Sequence, residues 1–169
     1  MTSDNLTKTL DTWIDALSQY DFQQLCAKPS PASWSIGQVY MHLIENTVYF
    51  IEQAKICASS NDNITGEPSG AAKAMFANNS FPDEILEGPP ENAATPQPLS
   101  KAQLIVELNR IKSESEEISV LITSSQFKGK TKHPGLNYFS ANEWLQFAEM
   151  HLRHHLRQKA RIDAFLMRR

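Results

Sequence analysis

Four stretches of this sequence carry apolar residues at steps of three and four, and no stretch of any length alternates apolar with polar. That spacing is the period of an α-helix with one buried face, so the chain must pack helix against helix. The first stretch covers residues 4–26, where Leu6, Leu10, Trp13, Leu17 and Tyr20 form the stripe. Lys28-Pro29-Ser30-Pro31 ends it, because two prolines in three positions cannot continue a helix. The second begins after Trp34 with Ser35-Ile36-Gly37-Gln38, which has the form of a capping box, and runs to about Cys57. Its stripe is Val39, Leu43, Asn46 and Phe50, with His42 beside Leu43, and Trp34 is placed to fold back as a hydrophobic staple. Ser100-Lys101-Ala102-Gln103 opens the third, to about Ser124, through Leu104, Leu108, Ile111, Ser115, Ile118 and Ile122. Ser115 either leaves room in this aliphatic row or tolerates close packing. Ser140-Ala141-Asn142-Glu143 caps the fourth, which runs to near the end through Trp144, Phe147, Ala148, Ile162, Phe165 and Leu166.

Between the second and third helices lies a polar connection, residues 59–98, carrying Pro68, Pro82, Pro89, Pro90, Pro96 and Pro98. Gly70-Ala71-Ala72-Lys73-Ala74-Met75-Phe76 suits a short helix within it. Adjacent antiparallel helices need only a short loop, so this length predicts a crossover that sets helices two and three parallel. His133-Pro134-Gly135-Leu136 suits a tight turn, with proline and glycine at its centre. The expected fold is therefore all-α, a four-helix bundle with a long crossover between helices 2 and 3. It forms one domain over residues 1–169.

Hydrophobic residues make up 41% and charged residues 21%, which places the chain in the globular class rather than the disordered one. A formal net charge of −3 gives no pull toward nucleic acid or an anionic membrane. The basic residues Arg153, Arg157, Lys159, Arg161, Arg168 and Arg169 read as a solvated helix face near a C-terminus. No signal peptide is visible, and no apolar run approaches the roughly 18 residues that span a bilayer. Cys26 and Cys57 are too few for a disulfide framework, so a reducing cytoplasm is the expected compartment. Both stand near helix ends and read as packing residues, with catalytic use as the alternative.

The chemistry concentrates in Glu149-Met150-His151-Leu152-Arg153-His154-His155-Leu156-Arg157-Gln158, which holds three of the five histidines. Continuing the apolar stripe of this helix gives Ala148, His151, His155, Gln158 and Ile162, so polar residues fall on the face that should be buried. Buried imidazoles need partners, at about 1–3 kcal/mol for each one left without. His151 and His155, one turn apart, suit a metal ion, and His42 is the histidine expected within another helix that points inward. Three neutral imidazoles would leave coordination positions open, as in a catalytic site, and would leave the ion's charge uncompensated. The absence of H-E-x-x-H excludes the zinc-protease arrangement. His154 reads as a polar boundary residue or a site residue. Gln158 either orients an imidazole or bonds across to Asn46. Glu45, one turn from His42, reads as a solvated glutamate or a general base. His133 reads as a loop residue that could reach a ligand.

The run Trp34-Ser35-Ile36-Gly37-Gln38 with His42, then His133-Pro134-Gly135-Leu136, Glu143-Trp144 and His151-x-x-His154-His155-x-x-Gln158, resembles the DinB/YfiT-like superfamily over about residues 30–160. That resemblance implies a bundle with a long crossover, often paired into homodimers. It also implies a divalent metal, commonly zinc or nickel, on three histidines that map to His42, His151 and His155. Several relatives of that kind transfer low-molecular-weight thiols such as bacillithiol or mycothiol to small-molecule substrates. Others are described as metal-dependent hydrolases or damage-inducible proteins. The resemblance therefore implies a thiol S-transferase, with hydrolysis or a non-catalytic binding bundle as alternatives.

Overall fold

A computed structural model of the chain describes residues 2–83 and 94–168. Pro89, Pro90 and Arg169 lie outside them. The elements in order are α1 (Thr2–Ala16), a 3-10 turn (Leu17–Gln19), α2 (Phe22–Cys26), α3 (Ile36–Cys57), α4 (Gly70–Asn78), α5 (Lys101–Ser124), β1 (Lys130–His133), β2 (Asn137–Ser140) and α6 (Ala141–Leu166). Among the described residues no helix is long and apolar enough to cross a membrane.

The long helices α1, α3, α5 and α6 form the bundle, and side-chain pairs fix their directions. Thr9 bonds Glu149, Trp13 bonds the Leu152 carbonyl and Tyr20 bonds Asp163, so α1 and α6 run parallel. Lys112 bonds Asp11 while Lys101 bonds the Tyr20 carbonyl, so α1 and α5 are antiparallel. Gly37 meets Pro98 at one end of α3 and Lys55 faces Glu114 at the other, which sets α3 and α5 parallel as the crossover requires. The interior is filled by Trp13, Tyr40, Phe139 and Trp144 with the aliphatic stripes around them. Ser115 is fully buried and spends its hydroxyl on the Lys112 carbonyl of its own helix.

Residues 4–26 are not one helix. The chain leaves the helix at Tyr20, which is extended, and restarts at Asp21. Asp21 and Gln24 form a full capping box, so the local sequence offers a new N-terminus that competes with continuation. Lys101 accompanies the break by donating to the Tyr20 carbonyl. Two short strands also replace what the sequence reads as loop. β1 and β2 pair antiparallel from Lys130↔Ser140 to His133↔Asn137. Pro134 and Gly135 do take the centre of the turn, and the left-handed residue is Asn137 at φ 65°, a type whose short polar side chain tolerates that conformation.

The caps of α3 and α6 are complete boxes, Ser35 with Gln38 and Ser140 with Glu143. That of α5 is only half formed, because the Gln103 side chain accepts from Leu99 rather than from Ser100. The returning end of the crossover is pinned to the start of α3. Gln38 donates to the Thr95 carbonyl, Ser35 to Gln97, and Gln97 to the Cys26 carbonyl. A side chain at Gly37 would stand 2.7 Å from the Leu25 carbonyl, so only glycine permits this approach. These ties hold the segment that carries His42.

Candidate metal centre

His42 stands on the second turn of α3 and is 6% exposed, while His151 and His155 stand one turn apart on α6 and are half-buried. α3 and α6 run antiparallel, since Phe50 packs on Trp144 and Phe147 just as His42 faces His151. The Nε2 atoms of His42 and His151 are 3.2 Å apart. The ring centroids are 5.1 Å apart for His42 and His151, 5.0 Å for His42 and His155, and 4.7 Å for His151 and His155. One nitrogen from each ring lies within 4.8 Å of the others. A tetrahedral ion with bonds of about 2.0–2.1 Å places its ligand nitrogens roughly 3.3–3.4 Å apart, close to the observed His42–His151 separation. Among the described residues these three form the one group of histidine, cysteine or carboxylate side chains gathered closely enough to hold a metal.

The electrostatics favour the form that a metal needs. Burial pushes the His42 imidazole down to about 4, helped by the neighbouring His155. Burial likewise lowers His155 to about 4, against the hydrogen bond it donates to Gln158, which raises it. His151 is driven well below its usual range by burial and then by the other three histidines around it. All three rings are therefore neutral at pH 7, as ligand imidazoles must be. The Nδ1 of His151 is buried without a hydrogen-bond partner, so the cluster is incompletely satisfied by protein groups alone.

The sequence profile of the DinB superfamily matches residues 5–158. The chain belongs to that superfamily. No curated protein matches it. The matched span of this DinB-superfamily chain takes in all three histidines and ends on Gln158.

The amides nearest the site each attend to one imidazole. Gln158 Oε1 lies 2.8 Å from His155 Nδ1 and accepts its proton, which leaves Nε2 of that ring free for an ion. Asn46 Nδ2 lies 3.1 Å from His42 Nδ1 and donates to the His42 carbonyl at 2.8 Å. Gln158 and Asn46 therefore serve different rings. The bond between them that the sequence left open as an alternative is replaced by these two.

His154 stays outside the group of three histidines that could hold a metal. Its ring packs on Phe81 at 5.4 Å and on His155 at 5.6 Å, and its pKa is lowered by burial and then by Arg157 and Arg161. His133 also lies outside it, at the end of β1 among Trp144, Phe139 and Phe147. Glu45 is exposed. Within the basic stretch Arg153 pairs with Glu149, Arg157 with Asp83 and Lys159 with Asp163, and Arg157, Arg161 and Arg168 are exposed.

Sequence reasoning missed the aromatic surroundings of this DinB-superfamily site. Trp34 lies 5.0 Å from the His42 ring rather than serving only as a helix staple. Phe50 meets His151 edge-on at 5.6 Å, and Phe81 lies 6.2 Å from it. Phe50, two turns beyond His42 on one stripe, was open to that inference. Phe81 belongs to the crossover, and no local signal places it here.

Proposed function

We propose that this DinB-superfamily chain is a metal-dependent enzyme whose His42, His151 and His155 hold one divalent ion, zinc or nickel. In this reading it transfers a low-molecular-weight thiol to an electrophilic small molecule. The observation that carries it is the convergence of three neutral imidazole nitrogens, from two antiparallel helices, within 4.8 Å of one another. A divalent ion held by His42, His151 and His155 would supply Lewis acidity, the chemistry that lowers the pKa of a thiol toward neutrality.

The protein's own groups do the rest. Gln158 fixes the tautomer of His155, and Asn46 steadies the His42 ring and its backbone. Three neutral ligands leave the full positive charge to be met by the incoming group, which favours an anionic sulfur. Among the described residues no carboxylate joins the cluster, and Glu45 is exposed. A reaction whose nucleophile is activated by the ion itself suits such a site better than one that relies on a carboxylate base.

The test is S-conjugate formation from a thiol and an electrophile by tag-free protein, with and without added zinc or nickel. Metal-dependent conjugation lost in His151→Ala is the expected result. Release of product from esters or amides without thiol would replace this reading with hydrolysis. Inert metal-loaded protein across both panels would replace it with a binding bundle.

A further inference from the structure

The end of α3 remote from His42 borders a cavity of about 300 Å³. Cys57, one of its liners, stands about 22 Å beyond His42 along the helix axis. The start of α6 and the connection from α5 to β1 form the other walls. The space exists because the buried liners, Cys57, Ala58, Gly129 and Ala141, are small. Polar ties hold it open. Ser125 donates to the Ala58 carbonyl, the Lys128 amide to Asn61 and the Gly129 amide to the Ser60 carbonyl. A side chain at position 129 would stand 2.6 Å from that carbonyl oxygen, so glycine permits the approach. Ile64, Ile122 and Phe127 complete the apolar lining, and Ile64 and Phe127 are 53% and 40% exposed. Most polar groups of the lining are spent on protein partners. Ser140 bonds Glu143, Lys130 bonds the Gly66 carbonyl and pairs with Glu67, and the Cys57 sulfur lies 3.5 Å from the Phe139 carbonyl. The Glu143 carboxylate is bound by the Ser140 amide as well as its hydroxyl. Lys128 and Asn142 differ: both are exposed liners, and among the described residues neither side chain has an ion pair or a hydrogen bond. An apolar space of this size with a cation and an amide at its edge suits a molecule with a short apolar body and one carboxylate.

We propose that this cavity is a second binding site, for a small monocarboxylic acid with an apolar body. The body displaces water from Ile64, Ile122 and Phe127, while the carboxylate meets the Lys128 ammonium and the Asn142 amide. An amine of the same shape would be repelled by Lys128, and a sugar would find too few free partners for its hydroxyls. The site shares no residue with the histidine cluster, so it stands whether or not an ion occupies that cluster.

The test titrates the isotope-labelled full chain with hexanoate and, separately, with hexylammonium, followed by protein NMR. The two probes share one apolar body and carry opposite charges. Hexanoate should give saturable shifts at Ala58, Ile64, Ile122 and Phe127 with a Kd of about 1–10 mM, the range for so few heavy atoms. Hexylammonium should bind about fivefold more weakly. Lys128→Gln should bring the two within about twofold of each other. Ile64→Ser combined with Phe127→Ser, both at exposed positions, should weaken both probes about tenfold. No saturable shift at these residues, shifts centred on His42, His151 and His155 instead, or equal affinities of the unmodified protein for the two probes would each overturn the proposal. So would a preference for hexanoate that survives Lys128→Gln, or affinities untouched by the paired serine substitutions.

Discussion

Two histidine environments in this protein have the same electrostatic signature and different chemistry. His133 sits among Trp144, Phe139 and Phe147, its ring stacked 5.6 Å from the indole, and burial alone pushes its pKa to about 4. His42 is pushed to about 4 as well, chiefly by burial, but it faces two more imidazoles. A lowered pKa therefore marks desolvation in both places and a group that could hold a metal in only one. What separates them is convergence. His133 has aromatic rings as neighbours and a buried Nδ1 without a partner, whereas the nitrogens of His42, His151 and His155 come within 4.8 Å of one another.

The largest expected effect tests that distinction directly. Tag-free protein purified with zinc or nickel should carry about one ion per chain by elemental analysis, since three imidazoles and an open position make one site. His151→Ala should lose it entirely, while His133→Phe should keep it. An ion retained in His151→Ala, or lost in His133→Phe, would mean that the two clusters have been assigned the wrong way round. Gln158→Ala tests a weaker link in the same cluster, because Gln158 holds His155 through Nδ1. Its metal affinity should fall about 10- to 100-fold by competition with a chromophoric chelator, with helical content unchanged. An unaltered affinity would show that the His155 ring is oriented by packing alone.

The convergent cluster was legible in the sequence for the same reason that the bundle was. A helix that must bury one face repeats at 3.6 residues, and His42, His151 and His155 lie on or beside the buried stripes of α3 and α6. The box caps at Ser35 and Ser140 fixed the starts of both helices from local sequence. Less was legible around His133. β1 and β2 have four residues each, too short for a period of two to show against the background. The cage is assembled by the pairing of Thr131 with Phe139 and by the docking of Trp144 on Thr131, both tertiary outcomes. The seat of Phe81 was hidden in the same way, since Arg153, Arg157 and Gln146 reach it from another element. The helix break at Tyr20 is different. Asp21 and Gln24 spell out a capping box in local sequence, a signal that the continuous stripe from Leu6 to Tyr20 conceals.

Acid should expose what the two environments share. A histidine at about 4 in the folded protein and near 6.5 when unfolded takes up its proton on unfolding anywhere between those values. The unfolded chain then binds more protons than the native one, so stability rises with pH across that window and falls as pH drops through it. The loss begins near 6.5 and is complete by about 4. Each fully shifted group contributes at most about 1.4 kcal/mol per pH unit, and a half-buried one such as His133 contributes less because solvent screens it. Urea unfolding of metal-free protein at pH 7, 6 and 5 should show a falling midpoint. A flat profile would mean that these imidazoles titrate normally in the native state.

The smallest effect isolates the lone histidine. In His133→Phe the ring contacts with Trp144, Phe139 and Phe147 are kept, while a buried nitrogen without a partner is removed. Replacing an unsatisfied polar group with an apolar one of similar shape is near neutral or stabilising, so the variant should match or exceed the native protein at pH 7 by up to about 1 kcal/mol. Because phenylalanine takes no proton in the unfolded chain, the difference should widen in the variant's favour as the pH falls toward 5. A variant destabilised by more than about 1 kcal/mol at pH 7 would show that the imidazole makes a polar interaction its cage depends on, beyond the typical value of one hydrogen bond. His133 would then be a bonded polar group rather than a packed ring, and the contrast with the three convergent histidines would have to be redrawn.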